Sequence, residues 1–415
     1  MFLLGATLTG LGFSGFWVLL NLYLRSVGHS ETSIGQVLSV HTLGNLVVAL
    51  PGAFVLERVR IGRLLGLAMS LCVAGYGLQL LPVPKSLVLA GAFVSGMGLA
   101  LHWAASGPFF MWNSEKEWRP FLFAFGFSLE FGAGAVGSLA AGRLAGILGD
   151  ALGSEALGLR ITLLAFAAVF AVAALVFLRI GPSPGRPADP VPFREYARAR
   201  DWGLLGRLVL PDAFVGLGAG LSIPFLNLYF RDRFGTSSGT IGALFAGNQA
   251  LVVAASLLMP LLVRRLGMIR AVVAVQLLSL PFLLTLAFAR GFPVAALAFL
   301  ARGMLMNLGH PIASNFALEV AGPRAHTVTN AIKNMSWNLA WVVSTSVGGR
   351  LIEAVGYTLP MLITSGLYVT SSTLYFRFFF RGGSPEWREL GRSGRSSTER
   401  EAPSRPLPPP RPGDG

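Results

Sequence analysis

The chain is poor in the residues on which most soluble chemistry depends. Cys72 is its only cysteine, which excludes an intrachain disulfide and a multi-cysteine metal site; set within an apolar stretch, it reads as a buried core thiol. Charged residues are 13% of the sequence, roughly half the share found in soluble globular proteins. Lysine occurs only at Lys85, Lys116 and Lys333, and no G-x-x-x-x-G-K-[ST] loop surrounds any of them, so a nucleotide-driven pump has no phosphate cradle. No H-E-x-x-H or serine-nucleophile pattern supports an intramembrane enzyme either, so no catalytic residues, cofactor or metal site are expected.

What fills the sequence instead is hydrophobic. Apolar residues make up 53% of it, and mean hydropathy is +0.63. Twelve apolar stretches, each near the roughly 20 residues that cross a bilayer core as a helix, are predicted at 2–24, 32–56, 64–81, 86–111, 120–143 and 159–179, then 205–230, 240–263, 270–289, 292–319, 326–349 and 357–380. The chain enters the first without the basic region and cleavage site of a secretory signal, so 2–24 is expected to be a retained helix. Residues 181–204, carrying Pro182, Pro184, Pro187, Pro190 and Pro192 among arginines, read as a hydrated linker. Residues 381–415, rich in Ser, Arg, Glu and Pro, read as a disordered tail. Segments starting at Gly10 and Gly132 both satisfy G-x-G-x-x-G, yet neither follows a strand as nucleotide binding requires; close helix contact explains both.

The formal net charge of +14 is not grouped beside any nucleic-acid motif, so no nucleic-acid partner is expected. The basic residues follow membrane topology instead. Arg58, Arg60, Arg63, Lys116, Arg119, the arginines from Arg179 to Arg207, Arg264, Arg265, Arg270, Arg324 and those from Arg377 onward fall on the side of the linker. The other side collects only Arg25, Lys85, Arg143, Arg160, Arg231, Arg233, Arg290 and Arg350. Short cytoplasmic loops are enriched in Lys and Arg, so both termini are predicted to be cytoplasmic, in a multi-pass protein of the plasma membrane.

The two groups of six helices repeat one another. An offset of about 206 residues aligns Gly10, Gly12, Asn21, Leu22, Tyr23 and Arg25 with Gly216, Gly218, Asn227, Leu228, Tyr229 and Arg231. One residue more aligns Ile34 and Gly35 with Ile241 and Gly242, Gly96 and Met97 with Gly303 and Met304, and Gly142, Arg143 and Leu144 with Gly349, Arg350 and Leu351. Six crossings return the chain to its starting side, so the halves are parallel repeats about an axis along the membrane normal, with a solute site between them near the midplane. The predicted fold is an all-α membrane protein, twelve transmembrane helices in two pseudo-symmetric six-helix bundles, at 1–180 and 205–380.

Here the chain resembles the major facilitator superfamily, whose hallmark is two six-helix bundles joined by a long cytoplasmic linker. The segment PGAFVLERVRIGR at 51–63 is similar to that family's G-x-x-x-D-R-x-G-R-R loop, with Glu57 where Asp is usual and extra spacing before Gly62. Arg264, Arg265, Leu266 and Gly267 form a weaker echo. The resemblance implies a gating latch made by Gly52, Glu57, Arg58, Gly62 and Arg63; as plain topology anchors, the same arginines need no partner. The segment from Gly132 lies where the family's fifth-helix antiporter motif occurs, but has Ala135 in place of proline.

Ionisable groups inside the membrane are the functional candidates, because each costs about 2.5–3.5 kcal/mol at a helix centre on insertion scales. Glu130 has Gly126, Ala133, Gly134 and Gly137 on its face, which suits helix contact or a cavity. Arg302 corresponds by the repeat to Ser95. Asp212 follows Pro211, a turn or so into the seventh helix, and Lys333 shares a stripe with His326, Thr329, Asn330, Ser336 and Trp337. The resemblance allows two pairings, Glu130 with Arg302 and Asp212 with Lys333; unpaired, either carboxylate becomes a proton carrier, Glu130 first and Asp212 second. His102 shares a face with Ser95, and His41 maps onto Asn248, which is followed by Gln249, so these residues are read as pathway lining or as hydrogen-bonded core. His310, beside Pro311, is expected to mark a helix irregularity. Asn21, Tyr23, Asn227 and Tyr229 are interfacial anchors or an outer gate.

The expected function is secondary active transport of a small solute by alternating access, coupled to protons, in a monomer. An exporter of amphiphiles is the leading reading, because few charges accompany many Phe, Met and Trp side chains. A sugar or metabolite uptake carrier, an intramembrane enzyme using His41, His102 and Glu130, and a non-transporting receptor are the alternatives.

Overall fold

The computed structural model describes residues 1–115, 117–182, 202–321 and 326–381. Nearly all of the predicted linker, the loop of Arg324, Lys116 and the tail from 382 lie outside the described residues, as do the side chains of Glu57 and His326. The first bundle comprises α1 (Phe2–Ser26), α2 (Glu31–Arg58), α3 (Ile61–Gln79), α4 (Lys85–Asn113), α5 (Arg119–Leu152) and α6 (Glu155–Leu178). In the second, α7 (Trp202–Ser222) and α8 (Leu226–Phe234) make one span broken by a 3-10 turn at Ile223–Phe225. The next span is α9 (Ser238–Ser256) with α10 (Met259–Leu266), followed by α11 (Met268–Phe288), α12 (Phe292–Ala321), α13 (His326–Val355) and α14 (Thr358–Tyr375), which runs into a π-helical turn, Phe376–Arg381.

Both broken spans break at proline. Pro224 lies in the 3-10 turn and Pro260 at the start of α10, where the missing N–H cannot continue the helical ladder. Pro311 behaves differently: α12 runs through it without interruption, so the irregularity expected at His310 is absent. The predicted fifth helix was too short, since α5 continues to Leu152. Gly153, at φ +64, ends it in the left-handed conformation, and Ser154 caps α6 at once by accepting the Leu157 N–H. Apolar periodicity cannot reveal so tight a turn.

Among the described residues, nine spans are long and apolar enough to cross a membrane by length and composition alone. The three that fall short are α2, α13 and α14, which carry buried polar residues in contact with protein. Thr364, Ser365, Ser371 and Ser372 of α14 are buried, and α2 packs on α13 across the boundary between bundles.

The termini of α6 and α7 lie on one side, the linker face; the other is the far face. The bundles meet from the midplane to the far face, through residues that the repeat places in equivalent positions. A Cβ on Gly35 would lie 2.5 Å from the Thr345 carbonyl oxygen, and one on Gly349 would lie 2.3 Å from that of Glu31. The symmetry-related contact pairs Gly242 with the Ser138 carbonyl at 2.4 Å and Gly142 with that of Ser238 at 2.4 Å. On the axis, Asn21 Nδ2 donates to the Pro224 carbonyl (2.7 Å) and to Asn227 Oδ1 (3.1 Å), while Asn227 Nδ2 donates to the Val18 carbonyl (2.9 Å). Val18 and Pro224 are themselves counterparts in the repeat. Arg231 bonds Glu155, and Glu353 accepts the Thr32 N–H at 3.0 Å.

Gly349→Val is therefore expected to wedge α2 from α13, at an overpacking cost of about 1–3 kcal/mol. In a Cys72→Ser background, a cysteine replacing Ser39, which donates to the Val342 carbonyl, should gain reactivity towards a membrane-impermeant thiol reagent applied at the far face. Unchanged reactivity would show that the glycine contact does not seal that face.

Candidate functional site

Close helix crossing creates the site. A Cβ on Gly10 would lie 2.3 Å from the Glu130 carbonyl oxygen, and one on Gly137 the same distance from that of Leu11, so α1 and α5 approach through the glycines of the two G-x-G-x-x-G segments. Beside this crossing, where α9 of the second bundle leans in, a cavity of about 450 Å³ opens. Phe13, Trp17, Trp103, Phe127, Phe131 and Phe245 supply its aromatic walls, and Ser14, Ser138, Glu130 and Gln249 its polar groups. Gln249 ties the bundles together: its Nε2 donates to Ser138 Oγ at 2.9 Å, and its Oε1 accepts from Ser14 Oγ at 3.2 Å. Such a volume, apolar with a few convergent polar groups, suits a drug-sized molecule.

Glu130 is the carboxylate in that lining. Its Oε1 stands 4.0 Å from Nε2 of His102, and its neutral hydrogen-bond donor is Trp103. His102 is fully buried, its ring 5.7 Å from that of Phe177. The pairing of Glu130 with Arg302 does not form. Arg302 belongs to a separate cavity of about 180 Å³ inside the second bundle, where its Nη2 donates to Tyr368 Oη at 2.6 Å.

The other pairing is present. Lys333 Nζ lies 2.7 Å from Asp212 Oδ2 and donates to the Ala313 carbonyl at 3.2 Å, while the Tyr375 hydroxyl donates to Asp212 Oδ1. Both charged residues are buried. Because α7 begins at Trp202, Asp212 sits about three turns inside it rather than one.

A sequence profile described as the Major Facilitator Superfamily matches residues 2–211 and 212–410. The chain belongs to this superfamily. It is thus a multi-pass membrane protein of a family of transporters, and its two matched segments accord with the repeat. Solved structures agree on the fold. A bacterial homologue of the human lysosomal transporter Spinster, in an inward-facing unoccupied conformation, superposes with a TM-score of 0.75 at 15% identity, covering 92% of this chain and 97% of that one. The nucleoside transporter NupG gives 0.69 at 14% identity, over 91% and 98%. A bacterial homologue of the iron transporter ferroportin, inward-facing, gives 0.67 at 15%, over 91% and 97%. At such identities the likeness establishes the fold alone. No curated protein matches the sequence.

Within the superfamily fold, the sequence candidates separate into layers. Gln249 lines the Glu130 cavity, and Trp337 lines that of Arg302 beside the Asp212–Lys333 pair. His41, Ser95 and His102 line neither; they stand behind the walls. His41 Nδ1 is 3.1 Å from Ser95 Oγ, which also accepts from Gln79 Nε2 at 3.3 Å, and the His41 ring lies 5.0 Å from Trp17. Asn248 packs on Gly303 and leaves its buried Oδ1 without a hydrogen-bond partner among the described residues. His310 meets Trp337 edge to face at 5.3 Å.

In the latch segment, Gly52 lies inside α2, and only Val59 and Arg60 separate α2 from α3. A Cβ on Gly62 would lie 2.7 Å from the carbonyl oxygens of Phe177 and Ile180, so this turn docks on the end of α6, with Arg58 and Arg63 exposed.

The aromatic walls escaped the sequence reading. Gly10, Phe13, Ser14, Trp17 and Val18 on α1, and Phe127, Glu130, Phe131 and Ser138 on α5, do follow helical spacing. In helices apolar all round, that spacing cannot tell a cavity face from a lipid face.

Proposed function

We propose that this protein is a proton-coupled secondary transporter that exports amphiphilic solutes, cationic ones above all, by alternating access. The carrying observation is the Glu130 cavity: a carboxylate held among aromatic walls at the seam between bundles, beside a histidine and, among the described residues, no permanent cation. Even half-buried, a carboxylate among aromatic rings is held away from water at a cost, so two species can neutralise it, a proton or a positively charged solute. Aromatic faces attract cations as well. Competition of the two for one carboxylate exchanges solute for proton.

Asp212 has a structural role in this reading, since Lys333 and Tyr375 already satisfy its charge. The sealed far face and the exposed Trp103 and Phe127 support a conformation open towards the linker face. With that face cytoplasmic, as the arginine distribution favours, both termini are intracellular and the plasma membrane is the site of action. The cavity is completed by the two bundles of one chain, which supports a monomer.

Proteoliposomes loaded with a fluorescent lipophilic cation test this reading. Imposing an inward proton gradient should drive the dye across the membrane in the opposite sense, with matching proton movement. Dye movement indifferent to the gradient would remove the coupling, and no movement of any cationic amphiphile would remove the solute class.

A further inference from the structure

Far from the seam, α1, the loop joining α3 to α4, and α6 enclose another cavity of about 390 Å³, wholly in the first bundle and at the far face. Its walls are mixed, with Val27, Val83 and Val88 beside the polar Tyr23, Gln79 and Ser154, and Leu81 and Leu157 stand 48% and 41% exposed at its rim. Its charge has one sign. Arg160 lines it, with Nε buried and without a hydrogen-bond partner among the described residues. No described carboxylate forms an ion pair with Arg160; Glu155, five residues before it on α6, is engaged by Arg231. His29 also lines it, its Nδ1 3.1 Å from Ser33 Oγ. Burial first, and then the charge of Lys85, hold this imidazole below its ordinary range, so it is neutral near neutral pH.

The repeat argues against a casual void. At the equivalent place in the second bundle, Phe230, Phe234 and Phe292 form an aromatic cluster, with Tyr229 edge-on to Phe234 and Tyr357 edge-on to Tyr229. Their counterparts in the first bundle are Leu24, Val27 and Lys85. Where one half is plugged with phenylalanine, the other has open space with Arg160 in its wall.

We propose that this cavity binds a phosphate group carried on an apolar substituent. Arg160 offers a planar donor fork suited to phosphate oxygens, Lys85, whose charge already acts on the lining residue His29, adds positive potential, and the rim leucines receive hydrocarbon. An anionic phospholipid of the far leaflet and a soluble phosphate share this chemistry. The site is independent of Glu130 and of the transport reading.

Native mass spectrometry of the purified full chain separates the two sources, using phosphatidylglycerol, phosphatidylcholine and inorganic phosphate as probes. The wild type should retain phosphatidylglycerol over phosphatidylcholine, and Arg160→Gln should weaken that retention about ten-fold, as loss of a charge-assisted contact implies. Lys85→Gln, at an exposed position that cannot unfold the chain, should weaken it in the same direction, whereas Arg350→Gln, exposed on the other bundle, should not. Arg160-dependent retention of inorganic phosphate without lipid would assign the site to a soluble ligand. Retention of neither probe, or retention unaffected by both Arg160→Gln and Lys85→Gln, would overturn it.

Discussion

Glu130→Gln proteoliposomes should still let solute run down its own gradient but lose all response to an imposed pH gradient. Glutamine keeps the volume and the hydrogen bonding of the protonated acid and removes the charge for which proton and cationic solute compete, so solute binds more weakly and no longer in exchange for a proton. With one proton exchanged per solute, each unit of pH gradient is worth about 1.4 kcal/mol, or roughly ten-fold accumulation. The variant should fall to no accumulation, while Glu130→Asp keeps coupling in part. Since a Cβ on Gly10 would already meet the Glu130 backbone, the helix crossing holds position 130 in place whatever its side chain, which makes the variant a clean one. Accumulation undiminished in Glu130→Gln would locate the proton carrier elsewhere.

The second large effect concerns stability. Lys333→Met leaves the Asp212 carboxylate buried with the Tyr375 hydroxyl and no cation. Breaking a buried pair from one side costs about 3–5 kcal/mol, because the remaining charge is uncompensated. Thermal melting of the detergent-solubilised protein should drop sharply in Lys333→Met and recover most of the loss in Asp212→Asn/Lys333→Met, in which no charge is stranded. Residual pH-driven transport by the double variant would mark the pair as structural; loss of coupling with stability intact would give Asp212 a share of the proton chemistry.

Much of the architecture was legible because a bilayer permits few solutions. Backbone polar groups must be satisfied within each span, so apolar runs of helical length become helices, and the self-similarity of Asn21, Gly35 and Gly142 with Asn227, Gly242 and Gly349 announces two bundles. The same residues carry the seam: those that the repeat aligns are those through which the halves touch. Pairing was harder to read. Asp212 with Lys333 was accessible because α7 and α13 share a bundle, whereas Glu130, half-buried, and Arg302, buried, belong to separate cavities that no one-dimensional pattern distinguishes. Turn chemistry at Gly153 and Ser154 was in view yet overridden by the weight of apolar length. The histidines show the remaining limit: polarity in a span marks His41 and His102 as unusual, but only three-dimensional contact puts them behind Trp17 and Glu130 rather than in the pathway.

The most direct measurement of the rocking of one bundle against the other uses two spin-label pairs. One joins Ala151 to Arg290 on the far face, and the other Arg60 to Arg264 on the linker face, all exposed positions. As pH is titrated in lipid nanodiscs, the far-face distance should lengthen while the linker-face distance shortens, each with the same midpoint, and Glu130→Gln should abolish the dependence. Distances that stay fixed, or that change together in one direction, would contradict alternating access about the glycine and asparagine seam.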